Sequence, residues 1–379
     1  MENFIAFNPT KVHFGRNVLD TLGKEASAYG KKALLMHGKG SALMNGSYPR
    51  VIDQLSAYSI EVVEYNGIKS NPVITDVDKA AQKGIASAAD MVVAIGGGSV
   101  IDSAKITAIC MAQKCKGWDV MDNSVRVSSS VPLIAVLTLA ATGTEMNSIA
   151  VLQNTETREK FGFSDPVMFP KHSFLDPTYT LTVPASYTSY GIADLIAHSL
   201  ENFFGNGDAS LSDRFVEGII REAMHYGPLL LTDLHNYDLR ARIMWAATNA
   251  LNGLTGYGRS TGDWGVHALG HILSFLYDTP HGATLTIAYP AWLRHIRRKD
   301  PGRIEQLGRY LFDNPDVSEV ISNIETFFSS INCPVRLREI GITREHKNEL
   351  MSLMNRNKAS GRNYFLNDTD RMEIVEMMF

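Results

Sequence analysis

Short apolar runs alternate with helix-spaced segments through the first half of the chain. Lys32-Ala33-Leu34-Leu35-Met36-His37, Met91-Val92-Val93-Ala94-Ile95 and Leu133-Ile134-Ala135-Val136-Leu137 are runs of strand length, while Ile60-Glu61-Val62-Val63-Glu64-Tyr65 alternates with period two. Between them, residues 49–58, 76–89 and 100–112 carry apolar side chains at helical spacing. Strands that are apolar on both faces and separated by helices predict a parallel sheet covered on both sides, an α/β domain of the Rossmann-like kind. After Thr182-Val183-Pro184 the β-branched runs become sparse, and helical patterns follow one another at 187–204, 209–230, 237–254, 263–277 and 283–297, with more toward the C-terminus. The pattern predicts an α/β domain over 1–183 and an all-α domain over 184–379, with no repeat or low-complexity linker between them.

Composition narrows the function classes. A chain of 379 residues with 45% hydrophobic and 20% charged residues has material for two cores. The net charge is −4 with both signs interspersed, so no basic face for nucleic acid is expected. No apolar run approaches the roughly 20 residues of a membrane span, and Met1-Glu2-Asn3-Phe4-Ile5 does not open a signal peptide. Cys110, Cys115 and Cys333 form no C-x-x-C pair. They read as buried thiols in a reducing cytoplasm, with a catalytic thiol as the alternative.

Gly96-Gly97-Gly98-Ser99 follows an apolar strand and opens a helix. Glycines allow close backbone approach to a pyrophosphate, and a helix start offers unpaired N–H groups and partial positive charge. Ile101 stands where a strict G-x-G-x-x-G would need its third glycine, so a ligand-free strand-to-helix turn is the competing account. After the first strand comes Gly38-Lys39-Gly40-Ser41. A carboxylate at such a strand end would bind the ribose hydroxyls of NAD. None is near in sequence, and Lys39 and Ser41 suit a 2′-phosphate instead, which favours NADP(H) over NAD(H). Otherwise Lys39 is a loop lysine in solvent.

Asp194 and His198 lie four apart in the apolar stretch Gly191-Ile192-Ala193-Asp194-Leu195-Ile196-Ala197-His198, so they project from one helix face. A buried carboxylate there requires a partner. A structural Asp–His hydrogen bond is one answer and a metal ion the other. His267-Ala268-Leu269-Gly270-His271 repeats the spacing, and Thr279-Pro280-His281-Gly282 follows. Mixed carboxylate and imidazole donors suit Zn²⁺ or Fe²⁺. Spacing leaves open whether His267, His271 or both bind. Ala268 occupies the position where the H-E-x-x-H metalloprotease motif needs glutamate. His13, His37, His172, His225, His235 and His295 stand singly and read as surface or hydrogen-bonded residues.

Together these segments resemble the iron-containing (group III) alcohol dehydrogenase family, within the dehydroquinate synthase-like fold, and especially its butanol dehydrogenase-like, NADPH-preferring branch. The resemblance runs from Thr10-Lys11-Val12-His13-Phe14-Gly15 through Ser70-Asn71-Pro72, Gly96 to Asp102 and Leu137 to Asn147, then the Gly191–His198 stretch, His267–His271 and Pro280-His281-Gly282. It is traced to about residue 300. It implies metal ligation by Asp194, His198, His267 and His281, with His271 lining the site to contact substrate or nicotinamide or to pass a proton. It implies that Gly97, Gly98, Ser99 and Asp102 hold the pyrophosphate and neighbouring ribose, that Thr138, Leu139 and Thr142 border the cofactor, and that Asn71 and Lys160 lie near its ribose. The NAD-preferring branch has an aspartate where this chain has Gly38, so Gly38, Lys39, Gly40 and Ser41 become the expected 2′-phosphate end. The activity implied is hydride transfer between NADP(H) and a small aldehyde or primary alcohol, with one divalent ion as Lewis acid, in a cytoplasmic homodimer. Alternatives are a polyol (glycerol-type) dehydrogenase, a dehydroquinate synthase-like lyase, for which few Lys and Arg residues stand near the donors, and a cofactor-binding sensor with a structural metal.

Overall fold

The computed structural model describes residues 1–379. Eight strands are present: β1 (Lys11–Phe14), β2 (Lys32–Gly38), β3 (Glu61–Ile68), β4 (Met91–Gly96), β5 (Leu133–Leu137), β6 (Ile149–Asn154), β7 (Glu159–Ser164) and β8 (His172–Leu175). Six form one sheet in the order β1-β8-β5-β4-β2-β3, every neighbouring pair parallel, and β6 and β7 form a separate antiparallel hairpin. Every residue of β4 and β5 is buried. Because side chains alternate across a strand, Leu34, Met36, Val92, Ala94, Leu133 and Ala135 enter one apolar core. Ala33, Leu35, Val93, Ile95, Ile134 and Val136 enter another on the opposite face. The apolar runs of the sequence are therefore central strands, each serving two cores.

The chain divides into two compact units, one of Phe7–Pro184 with Leu234–Thr248, the other of Met1–Ala6, Ala185–Asp233 and Asn249–Phe379. Most of the helix Tyr237–Ala250, expected in the all-α domain, thus belongs with the sheet. Met244 is fully buried in the sheet unit's core, Trp245 meets Phe14 edge-on at 5.5 Å, and the Arg16 guanidinium lies 3.6 Å from the Tyr237 ring centre. Periodicity identifies the helix and its apolar face. It says nothing about which core that face covers.

The second unit is helical: Ala185–Phe203, Ser210–Thr232, Gly265–Tyr277, His281–Ile296, Pro301–Phe312, Val317–Ser330, Lys347–Arg356 and Asp368–Met378. Phe203, Phe204, Tyr289 and Trp292 are fully buried, and Trp292 meets Phe204 and Tyr289 edge-on at 5.1 and 5.9 Å. Asp300 caps one helix by accepting from Arg303 N–H at 3.0 Å with Pro301 beside it, and Asp316 caps another through Glu319 N–H at 2.9 Å. No helix is long and apolar enough to cross a membrane.

One buried polar network fastens the helix Gly98–Gln113 to the β5–β6 connection. Lys105 is fully buried, and its Nζ donates to Thr144 Oγ1 at 2.7 Å, Asn147 Oδ1 at 3.0 Å and the Ile149 carbonyl at 2.7 Å. Asp102 Oδ1 accepts from Thr144 Oγ1 at 2.6 Å, and its Oδ2 accepts from Val151 N–H at 2.9 Å. Glu145, also buried, accepts from Thr248 Oγ1 at 2.6 Å. Burial pulls the Lys105 ammonium down to about 7, and the charges of Asp102 and Glu145 oppose that shift. Removing one member of such a network strands the others in low dielectric. Lys105→Met should therefore cost about 3–5 kcal/mol of unfolding free energy in urea titration. A loss below about 1 kcal/mol, the ordinary value of an exposed ion pair, would show that the carboxylates do not need it.

Candidate functional site

The Asp194–His198 helix buries every side chain from Gly191 to Phe203. Asp194 and His198 share its inner face, as their spacing requires. Oδ1 of Asp194 lies 3.7 Å from His198 Nε2, 3.9 Å from His267 Nε2 and 3.7 Å from His281 Nε2. The donor atoms of Asp194, His267 and His281 all lie within 4.8 Å of one another. Three helices contribute: Ala185–Phe203 carries two of the four side chains, Gly265–Tyr277 carries His267, and His281 is the first residue of His281–Ile296. The His198 and His267 rings stack at 4.8 Å, and His281 lies 5.2 Å from His267.

These separations exceed hydrogen-bond range. They come close to the roughly 3.4 Å expected between donors around a tetrahedral ion with bonds of about 2.0–2.1 Å. The charge states agree. Burial holds the His267 imidazole at about 3, and burial with the neighbouring His267 holds His198 well below the ordinary imidazole range. Both rings are therefore neutral and offer lone pairs. His267 Nε2 is buried and makes no hydrogen bond, while Nδ1 of the same ring stands 2.8 Å from Glu201 Oε1. The donor set fits one divalent cation.

His271, one helical turn beyond His267, is 8% exposed, with its ring 5.3 Å from that of His281 and 6.2 Å from that of His267. No His271 nitrogen is among the close donor atoms of Asp194, His267 and His281, and neither is one of His198, which instead reaches Asp194 Oδ1 at 3.7 Å. Spacing alone did not separate His267 from His271. In the structure His267 turns Nε2 toward Asp194 Oδ1 at 3.9 Å, and Glu201, which sequence reading passed over, lies 2.8 Å from its Nδ1.

A second convergence of metal-type donors, His13, Glu25 and His172, lies at the sheet edge. His13 and His172, which stand singly in sequence, meet there across β1 and β8. His13 Nε2 lies 3.0 Å from His172 Nδ1, His172 Nε2 lies 3.0 Å from Tyr29 Oη, and Lys11 Nζ donates to Glu25 Oε1 at 2.7 Å. Protein partners account for these groups without an ion.

In the sheet unit the glycine turn joins β4 to its helix. A Cβ on Gly98 would come within 2.6 Å of Thr142 Cγ2, and one on Gly97 within 3.1 Å of Leu139 Cβ. The 138–142 loop thus packs directly on the turn, and Thr138 N–H donates to the Gly96 carbonyl at 3.0 Å. Ser99 Oγ donates to the Ser70 carbonyl. Lys160 Nζ donates to Asn71 Oδ1 at 2.7 Å, since Val73 bridges to Gln153, the cross-strand neighbour of Lys160. Gly38 reaches the same region, with its Cβ position 4.0 Å from Val100 Cγ2, and nothing lies within 4 Å of the Cβ position of Gly40. Lys39 and Ser41 are exposed. Thr138, Leu139, Thr142, Gly97, Gly98, Ser99, Asn71 and Lys160 are therefore neighbours along one end of the sheet. Asp102 is 8% exposed and spends both oxygens on Thr144 and Val151. A carboxylate absent from the local sequence does approach the end of β2: Glu64 of β3 accepts from Tyr48 Oη and lies 3.8 Å from His37 Nε2.

A parallel sheet with a glycine-rich helix start, and a buried carboxylate ringed by imidazole nitrogens, are the equipment of a metal-assisted dehydrogenase. Residues 9–177 match the model of the iron-containing alcohol dehydrogenase family, and residues 188–378 match the family's C-terminal domain. The chain belongs to that family. The second match continues well beyond residue 300, where the resemblance in sequence becomes hard to follow. The chain is 37% identical over 385 residues to the probable NADH-dependent butanol dehydrogenase 1 of Bacillus subtilis, covering 99% of each. It is 32% identical to the NADPH-dependent aldehyde reductase YqhD of Escherichia coli, covering 90% of each. The crystal structure of the NADH-dependent butanol dehydrogenase A of Thermotoga maritima superposes with a TM-score of 0.96 at 36% identity, over 100% of this chain and 99% of that one.

Gly282 tests the geometry without touching a donor. Its Cβ position is 2.2 Å from the Tyr190 carbonyl oxygen, which belongs to the helix of Asp194 and His198. Gly282→Ala must push apart the two helices that carry Asp194 and His281. It should reduce bound metal per chain at least about tenfold, whereas Gly218→Ala, which has open space, should leave metal content unchanged. Full metal occupancy in Gly282→Ala would show that the helix spacing does not control the centre.

Proposed function

We propose that the chain interconverts aldehydes and primary alcohols with NAD(P)H, using one divalent ion, Fe²⁺ or Zn²⁺, held by Asp194, His198, His267 and His281. The observation that carries this reading is the set of 3.7–3.9 Å separations between one Asp194 oxygen and three imidazole Nε2 atoms. When bound, the ion supplies Lewis-acid stabilisation of charge on the substrate oxygen, and the nicotinamide supplies or accepts the hydride. Asp194 contributes the single negative charge among the four donors, so the ion keeps net positive charge. His198 and His267, held neutral by burial, help to fix the position of the centre and add no charge. His271 is assigned the transfer of a proton to or from the substrate oxygen, because its buried ring borders His281. The N–H groups of Gly98 and Ser99 at the helix start receive the pyrophosphate. Asp102, Thr138, Leu139 and Thr142 border the cofactor, and the Asn71–Lys160 pair takes its ribose. With this reading go a homodimer and a cytoplasmic location, which three free cysteines suit.

The preference for NADP(H) over NAD(H) is part of the proposal. It rests on an exposed cation, Lys39, beside Ser41, with open space at Gly40. Relatives bear names with either cofactor, the butanol dehydrogenases NADH and the aldehyde reductase YqhD NADPH, so the preference is argued from these residues alone. Glu64 does not supply the ribose contact of an NAD site, since its carboxylate is engaged by Tyr48 and faces His37.

Two experiments follow. Asp194→Ala should lose the metal and at least about 10³-fold in kcat for aldehyde reduction, with NADPH affinity unchanged by fluorescence titration. His271→Ala should keep the metal and lose about 10²-fold or more. Wild-type turnover by metal-free Asp194→Ala would rule out metal assistance, and metal loss in His271→Ala would mean that the wrong histidine has been assigned. Separately, Lys39→Ala should lower the ratio of kcat/KM with NADPH to that with NADH by about tenfold, the effect of a lost charge-assisted contact. An unchanged ratio would remove Lys39 from cofactor selection.

A further inference from the structure

We propose that Glu201 is a positioning residue for the metal centre, fixing the tautomer and the orientation of His267. The inference rests on the metal reading above and names a residue that does not touch the ion. Glu201 lies three residues after His198 and seven after Asp194, so all three share one face of the helix Ala185–Phe203. Its side chain is fully buried. Oε1 meets two nitrogens of a single residue: it accepts from the backbone N–H of His267 at 2.9 Å and lies 2.8 Å from its ring Nδ1.

A neutral imidazole carries one proton and one lone pair, and in an apolar setting either nitrogen can hold the proton. Oε1 already accepts the backbone N–H of His267 at 2.9 Å, so it meets the adjacent ring nitrogen as an acceptor. Glu201 therefore keeps the proton on Nδ1 and leaves the lone pair on Nε2, the atom that faces Asp194 Oδ1 at 3.9 Å. The same contact sets ring rotation, because Nδ1 is held while Trp264 abuts the ring edge-on at 5.3 Å and His198 stacks on it at 4.8 Å. A carboxylate beside Nδ1–H also makes Nε2 a better donor to a cation.

Glu201 further anchors the element that carries His267. It sits against the first turn of the helix Gly265–Tyr277, where backbone N–H groups of His267, Trp264, Val266 and Gly265 oppose the upward pull of burial on its carboxyl. Asp263 completes the anchor. Its N–H donates to the Glu201 carbonyl at 2.9 Å, and its Oδ2 accepts from Gly265 N–H at 3.1 Å. Oε1 faces the backbone N–H and the ring Nδ1 of His267. An amide at position 201 would have to place its oxygen there and turn its own NH₂ toward the remaining helix N–H groups. Glutamine is therefore a near-isosteric but electrostatically wrong substitute.

The test begins with wild-type protein stripped and reloaded with Co²⁺ or Zn²⁺, the stoichiometry being read by elemental analysis. Failure to bind one equivalent would take down the metal reading itself, before any variant is made. Given one equivalent, Glu201→Gln should bind Zn²⁺ about 10–100-fold more weakly in competition with a chromophoric chelator. The visible spectrum of its Co²⁺ form should shift, while NADPH affinity, which depends on the other unit, stays unchanged. Affinity within twofold of wild type together with an unaltered Co²⁺ spectrum would overturn the proposal. If Glu201→Gln does not fold, nitrogen-15 histidine NMR of the metal-free wild type decides. His267 should carry its proton on Nδ1 and show a downfield, exchange-protected signal. A proton on Nε2 overturns the assignment.

Discussion

An ionised carboxylate inside an apolar helix is stable only where its surroundings supply compensating interactions. Asp194 lies in a helix whose side chains are buried from Gly191 to Phe203. The imidazoles around it stand just beyond hydrogen-bond range, and burial holds His198 and His267 in their neutral forms. They present lone pairs to the same space that the carboxylate faces. Groups that are all electron-rich repel one another unless something positive lies among them. The close packing of Gly282 on Tyr190 and the first-residue position of His281 are consequences of the same requirement, since the helices must approach closely to bring these groups together.

The centre has a polar backing. Glu201 and Asp263 hold the start of the helix that carries His267, and the C-terminal segment attaches to the same point. Asp263 Oδ1 accepts from Asn363 N–H at 3.0 Å and Tyr364 N–H at 2.7 Å, and a Cβ on Gly361 would collide with that carboxylate at 2.3 Å. Burial pushes both carboxyls up, Glu201 to about 8 and Asp263 to about 7, and the Glu201 charge adds to the rise at Asp263. Backbone N–H groups at a helix start are the natural counterweight, because they carry partial positive charge and cannot be removed by titration.

Much of this was legible in the sequence because periodicity encodes faces. Asp194 with His198, and His267 with His271, were readable as pairs on one helix side, and the runs at β2, β4 and β5 as buried strands. Periodicity could not choose between His267 and His271, since both lie on the same stripe, and the choice depends on a contact to a different helix. Glu201 carried a signal that went unread: a charged residue three places after His198 in an otherwise apolar stretch. The edge strand β1, its neighbour β8 and the β6–β7 hairpin are short and partly polar, and composition gave little warning of them. Glu64 approaches His37 only through the pairing of β3 with β2, information that lies in strand order and not in either segment alone.

The glycine turn shows how the same sequence feature can answer to two causes. Cβ atoms at Gly97 and Gly98 would strike Leu139 and Thr142, so small residues are required there by the chain's own packing, with or without a nucleotide. A glycine-rich turn is for that reason weak evidence of a ligand when it stands alone. What gives it weight is the company it keeps. The Lys105 network ties the helix that follows the turn to the loop and hairpin beyond β5 through six hydrogen-bonding groups that are all within the sheet unit. Through the pairing of β7 with β6 the Asn71–Lys160 pair is held in relation to the helix start, and the end of β2 is tied to it separately by the pairing of β2 with β4. A helix terminus of partial positive charge, a lysine and an amide, built on rigid elements at one end of a parallel sheet, form a surface suited to a diphosphate and its sugars, and that arrangement, more than the glycines, is what a dinucleotide would recognise.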